Sequence, residues 1–396
     1  MKNKYTILAF ALFSVCTTGC YDNVGEVIES SYIENVWVEP EYKFTRNGIS
    51  NVDVQECLFL KEPIDYFYNS YLKSARIMNE SAWETARTYF QQGEYGLSPR
   101  EELATSAAHV ADREKIVADF EKWIDTSRRI SGYYVDNQNK NNHRNRDAEP
   151  GISGYVGQNV GDANIFFVDE KGFVVAEVFR YAIMGAIYLD KILHVHLLEE
   201  DVFSPEVCGA HENLELMKGR NYTQLEHHLD LAKGYYDFWK PLAAAEGIPA
   251  LKESDRKIFY ALVQARRLLE HYQYDEAKPE LAVVRSELSR VVAIRVMNLL
   301  LGPNTIVNVQ EESKYAFTFL SQACGLIYSL QFTINENGIP YFSYQEVQNM
   351  LALLVQGQGL WEKERLLSGD DVPGSLRNIA LQVGNRFGIS IEEIER

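Results

Sequence analysis

The stretch FVVAEVFRYAIMGAIYLDKIL, Phe173 to Leu193, is apolar on almost every face of a helix. A helix with an unbroken apolar circumference must be covered on all sides, so it predicts a central buried helix inside a multi-helix body. Glu177 and Arg180 stand three residues apart on it and share a face. A charge taken out of water needs a partner, and the pair is therefore expected to form a buried ion pair.

The rest of the chain supplies helices to surround such a core. Ser98 to Glu101, SPRE, combines a capping box with Pro in the first helical turn and predicts a helix to about Ile130, before Gly132. SYQE at Ser343 and SIEE at Ser390 are further capping boxes. Pro279 is expected to open a helix through Leu301, ending at Gly302; on it Glu287 can pair with Arg290, which leaves Arg285 and Arg295 for acids on neighbouring helices or for an anionic ligand. With no convincing series of alternating strands, the class is all-α. One long segment breaks the pattern. Residues 132–165, Asn-rich and locally basic (Lys140, His143, Arg144, Arg146) and then glycine-rich, read as a linker or an ordered loop between an N-terminal helical bundle, 43–131, and a C-terminal one, 166–396.

The N-terminus has the order of a secretory leader: Lys2 and Lys4, an apolar run from Ile7 to Val15, then TTGC ending at Cys20. Small residues directly before a cysteine predict lipidation of Cys20, with residues 1–19 as signal peptide and 20–42 as an acidic tether. The expected location is the outer membrane, lipid-anchored, facing the periplasm or the outside. Loss of residues 1–19 removes Lys2 and Lys4 and no acid, taking the formal charge from −17 to −19. That balance argues against nucleic acid and suits cationic ligands or metal ions. Cys57, Cys208 and Cys324 are widely spaced without a CxxC and read as buried thiols rather than a disulfide scaffold.

Candidate chemistry concentrates in NYTQLEHHLD, Asn221 to Asp230. Thr223 and Glu226 form a capping box, which assigns Glu226 to its own helix start. At 100° per residue His228 joins the apolar stripe of Leu225, Leu229, Ala232, Tyr236 and Trp239, while His227 and Asp230 share another, outer face. They are the pair predicted to hold one divalent metal, iron or other ligand together, with His211, Glu212 and His196 as possible further ligands. HExxH, GxSxG and the P-loop are all missing, so nothing in the sequence supports an enzyme.

Three blocks, YKFTRNGISNVDV (Tyr42 to Val54), GRNYTQLEHHLDLAKGYYDF (Gly219 to Phe238) and AFTFLSQACGLIYSLQFT (Ala316 to Thr333), resemble an imelysin-like family of Bacteroidetes lipoproteins, domain of unknown function 4856. The resemblance implies an all-helical fold of two packed bundles, with 43–396 as one imelysin-like unit, and an envelope location. Imelysins proper carry a GxHxxE motif, which is not intact here: GAHENLE places Glu215 one residue too far, and EHHLD offers Asp230. The expected function is ligand binding for nutrient uptake, with metal, iron or haem acquisition first. A non-catalytic scaffold docked on an outer-membrane transporter or glycan-uptake complex is the alternative.

Overall fold

The computed structural model describes residues 40–73, 80–93, 96–133, 141, 145–157, 165–244 and 247–395. The expected leader, Cys20 and nearly all of the expected tether lie outside these residues, as do Lys140, His143 and Arg144. The chain is all-α with two short hairpins. The first, β1 (Thr45–Arg46) and β2 (Ile49–Ser50), leads into α1 (Gln55–Phe67), α2 (Glu80–Gln92) and α3 (Arg113–Ile130). A second hairpin, β3 (Gly154–Val156) and β4 (Phe166–Val168), precedes α4 (Val175–Ile183). There follow α5 (Glu199–Val202), α6 (Pro205–Glu212), α7 (Gln224–Ala243), α8 (Ser254–Glu270) and α9 (Tyr274–Leu301). The series ends with α10 (Pro303–Gln310), α11 (Lys314–Ser329), α12 (Tyr344–Leu354), α13 (Lys363–Leu366) and α14 (Leu376–Phe387).

The apolar segment that dominates the sequence is central, as expected. Beyond Ile183 it leaves α-helical register and continues as two π-helical stretches, Met184–Leu189 and Lys191–His196, hinged at Asp190. It packs on α11 through two glycines. A Cβ on Gly185 would meet Ser329 Oγ at 2.3 Å, and one on Gly325 the Val178 carbonyl at 2.6 Å. Only glycine lets the two backbones approach this closely. Residues 43–131 and 166–396 share one core, a single cluster of buried side chains running from Cys57 to Ile394.

Several local expectations change. Glu177 and Arg180 form no buried ion pair: Glu177 is half-buried, Arg180 is exposed, and Tyr68 stands between them. The Tyr68 hydroxyl donates to Glu177 at 2.6 Å while the Arg180 guanidinium lies 4.8 Å from the Tyr68 ring centre. SPRE caps only a turn, because Ala104 adopts φ +49°, and α3 begins at Arg113. SYQE does start α12, but SIEE caps a single 3-10 turn. Pro279 lies inside α9, which starts at Tyr274, since a proline within the first turns forfeits little hydrogen bonding. Arg290 pairs with Glu287 at 3.6 Å, as expected, and also donates to the Ala250 carbonyl; Arg285 donates to the Leu197 and Glu336 carbonyls, both at 2.7 Å. Residues 274–310 are long and apolar enough to cross a membrane, although most of that surface is packed inside the core. Cys57, Cys208 and Cys324 are all free thiols, with Cys208 half-buried.

Candidate functional site

The dipeptide Asn47–Gly48 builds one wall of a cleft. Both residues have positive φ, 52° and 74°, the backbone that a two-residue hairpin loop requires. The turn pairs Thr45 with Ser50 and carries Arg46 and Asn51 to the start of α7. There Arg46 Nη2 donates to both Glu226 oxygens, at 2.9 and 3.0 Å, and its Nη1 to the Asn221 carbonyl at 2.8 Å. Asn51 Nδ2 donates to Glu226 Oε1 at 3.1 Å.

Glu226 is the expected cap: its Oε2 accepts from the Thr223 amide at 2.8 Å, and the Thr223 hydroxyl accepts from the Glu226 amide. It is also the carboxylate of a buried charge network. Arg266, entirely sealed from solvent, places Nη2 3.1 Å from Glu226 Oε1 and Nε 3.3 Å from Asp230 Oδ1. Burial works against the Glu226 charge, but Arg266, the Thr223 amide and Arg46 outweigh it and hold the carboxyl below its usual range. Asp230 goes the other way. Its oxygens accept from the Tyr42 hydroxyl at 2.9 Å and the Asp53 amide at 3.2 Å, yet burial pushes its pKa up to about 6.

The cleft encloses about 250 Å³ between Thr45, Arg46, Asn51, Glu226, Glu270 and their neighbours His211, Leu214 and Tyr272. Its lips come from two helix ends of the same design. After α6 the Glu215 and Leu214 amides bond back to the Ala210 and His211 carbonyls; after α8 the Gln273 and Tyr272 amides bond back to those of Leu268 and Leu269. This is the left-handed helix ending that glycine normally fills. Here Leu214 at φ +53° and Tyr272 at φ +58° occupy it, both with exposed side chains. Two non-glycine residues held in this region at one cleft mouth are strain of the kind found at binding sites.

The charges inside can be matched. Arg46 and Arg266 are met by Glu226 and Asp230, so Glu270 is the surplus anion, with Arg266 Nη1 no closer than 3.8 Å. Asn51 Oδ1 is a buried acceptor with no hydrogen-bond partner. His211 offers nothing further: Nε2 donates to the Leu269 carbonyl at 3.0 Å, and Nδ1 accepts from the Thr223 hydroxyl at 2.7 Å. Arg266 Nη1 and Nη2 are likewise buried without hydrogen-bond partners, so the preference of the cleft for a cation rests on Glu270, the carboxylate left over after the ion pairs, with Asn51 Oδ1 as the free acceptor beside it.

The expected metal set is not assembled. Asp230 is turned into the interior and spent on Tyr42, Asp53 and Arg266, while His227, half-buried, stacks on Tyr222 with ring centres 4.6 Å apart. The reason is that α7 is buried on two faces: Asp230 lies on the second, against α8, not on an outer face beside His227. Glu212 is exposed. His196 sits elsewhere, its Nδ1 3.1 Å from that of His228 and its ring stacked on Tyr235.

Residues 39–390 match the family described as Domain of unknown function (DUF4856). The chain belongs to the DUF4856 family. Comparison with curated proteins and with solved structures finds no match. The matched span contains every residue that lines the DUF4856 cleft.

Arg266, Arg46, Asn51 and Glu270 of this DUF4856 cleft lie outside the residues that the sequence motifs mark as a site. Arg266 had a signal: it falls inside the stripe Ile258, Leu262, Ala265, Leu269 that α8 buries, where a cation demands an acid opposite. Arg46 had a weaker one, its place beside Asn47–Gly48. Nothing local marks Asn51 or Glu270, whose role depends on the meeting of the hairpin with the end of α8.

Proposed function

We propose that this DUF4856 protein binds a small organic cation, an ammonium or guanidinium on a short apolar stem, in the cleft at the start of α7. The observation that carries the reading is the combination of Glu270 as surplus anion with the unpartnered Asn51 Oδ1. A buried acceptor without a donor is costly and is satisfied by a bound donor. Leu214 and Tyr272 at the mouth would cover the apolar stem, and Tyr272 would add an aromatic face to a cation. The excess of acidic residues, −17 over the whole chain, favours the same sign of ligand.

The leader and Cys20 support a lipid-anchored protein of the outer membrane. Binding by a tethered helical body then serves capture of a solute for hand-over to an outer-membrane transporter.

The test is a calorimetric and thermal-shift screen of residues 21–396 against monoamines, diamines, guanidines and basic amino acids, with neutral and anionic isosteres alongside. One-to-one binding of a cation, weakened at least tenfold in Glu270→Gln and in Asn51→Ala, is the expected result. Binding that is confined to the anions, or that ignores both substitutions, would overturn the reading.

A further inference from the structure

A second polar centre lies in the core, outside the cleft and independent of the reading given for it. His109 ends a 3-10 turn, Ala107–His109, and Asp190 and His194 sit on the π-helical continuation of α4. All three are buried, with exposures of 8%, 0% and 4%. One ligand-capable atom from each lies within 4.8 Å of the others.

The chemistry is set by what the rings face. His109 Nε2 is 3.2 Å from the Gln331 carbonyl and His194 Nε2 is 3.0 Å from the Phe332 carbonyl, two successive residues of the 3-10 turn that follows α11. Carbonyl oxygens only accept, so both Nε2 atoms carry protons, and in neutral rings both Nδ1 atoms keep their lone pairs. The Nδ1 of His109 nonetheless stands 2.8 Å from Asp190 Oδ1, another acceptor. A proton on Nδ1 satisfies that contact, with the Ser106 hydroxyl 3.0 Å from the same nitrogen; a metal ion, bound at about 2.0 Å to each atom, would replace the proton and sit beside the pair, toward His194. Ser106 fastens the carboxylate from the other side: its amide donates to Oδ2 at 3.0 Å and its hydroxyl to Oδ1.

We infer that His109, Asp190 and His194 form a buried site for a structural transition-metal ion of the zinc class. Two imidazoles and a carboxylate are a donor set that zinc accepts, with Ser106 Oγ or a water molecule as the fourth ligand. Imidazoles that donate their remote N–H to backbone carbonyls are oriented as metal-bound histidines usually are. A tetrahedral site has ligand-to-ligand edges of about 3.4 Å, so on loading His109 Nδ1 and Asp190 Oδ1, 2.8 Å apart, move apart while the wider separations in the cluster, up to 4.8 Å, close. The turn that bears His109, the π-helical segment and the end of α11 would be joined by the ion, which enters during folding because the site is sealed afterwards.

The rival is a proton: a buried imidazolium–aspartate pair of His109 and Asp190 with His194 as a bystander. The experiment is refolding of the mature chain from denaturant with a chelator, with Zn²⁺ or with Co²⁺, read by metal content, melting temperature and visible absorption. The expected result is one equivalent of metal, a higher melting temperature with Zn²⁺, and the intense d–d bands of tetrahedral Co²⁺. His194→Gln, which leaves the His109–Asp190 contact in place, should fold, lose the Co²⁺ bands and lose the Zn²⁺-dependent rise. Refolded wild-type chain that takes up no metal, or a His194→Gln variant with unchanged Co²⁺ bands, would overturn the inference.

Discussion

Arg266 Nη2 and Glu226 Oε1 lie 3.1 Å apart with both side chains shut away from solvent, and they tie the middle of α8 to the first turn of α7. Breaking a buried charge pair by removing one partner costs more than the pair contributes, because the remaining charge is stranded. Arg266→Met strands Glu226 and Asp230 together, and the expected loss is about 3–5 kcal/mol at pH 7. Urea denaturation measures it; a loss under about 1 kcal/mol would mean the network relaxes into water.

Asp230 gives the network a pH signature. Its folded pKa, about 6, lies above the ordinary 3.8, so the fold prefers the protonated carboxyl. The stability it contributes is fully present below about pH 4 and is lost as the pH rises through about 6. Asp230→Asn removes that dependence. Between pH 4 and pH 6 wild type should lose about 1–3 kcal/mol relative to the variant. Parallel melting curves across the range would contradict this.

Thr223 serves two partners, the Glu226 amide and His211 Nδ1. Loss of an N-cap hydroxyl alone costs about 1 kcal/mol. Thr223→Ala also leaves the buried His211 nitrogen without its donor, and the expected cost is about 2 kcal/mol. Thr223→Ser keeps both contacts and should stay close to wild type in the same denaturation assay.

The cleft lips trade stability for shape. Leu214 and Tyr272 hold left-handed backbone that costs an ordinary residue about 1–2 kcal/mol, part of which glycine returns in unfolded-chain entropy. Leu214→Gly and Tyr272→Gly are each expected to stabilise the protein by about 0.5–1 kcal/mol and to weaken cation binding. A glycine variant that is stabilised and binds unchanged would remove the lips from the site.

Legibility followed the range of the interaction. The capping boxes at Thr223 and Ser343 are legible in the sequence because each closes within four residues. SPRE at Ser98 is equally local, yet it caps only a turn, since Ala104 reverses the backbone a few residues on. Glu177 and Arg180 have ion-pair spacing, but the Tyr68 hydroxyl, brought in from α1's π-helical extension, reaches Glu177 first.

The sequence by itself determined the all-α class, the central place of Phe173 to Leu193 and the cap at Glu226, since apolar periodicity and capping are properties of a single segment. Only the tertiary structure decided that Asp230 faces inward and that Arg46, Asn51, Glu226 and Glu270 meet around one cleft. The physical reason lies in α7. One helix can show its own apolar stripe in sequence, but which of its polar residues is buried depends on the cation that α8 brings against it, and that cation, Arg266, is 36 residues further along the chain than Asp230.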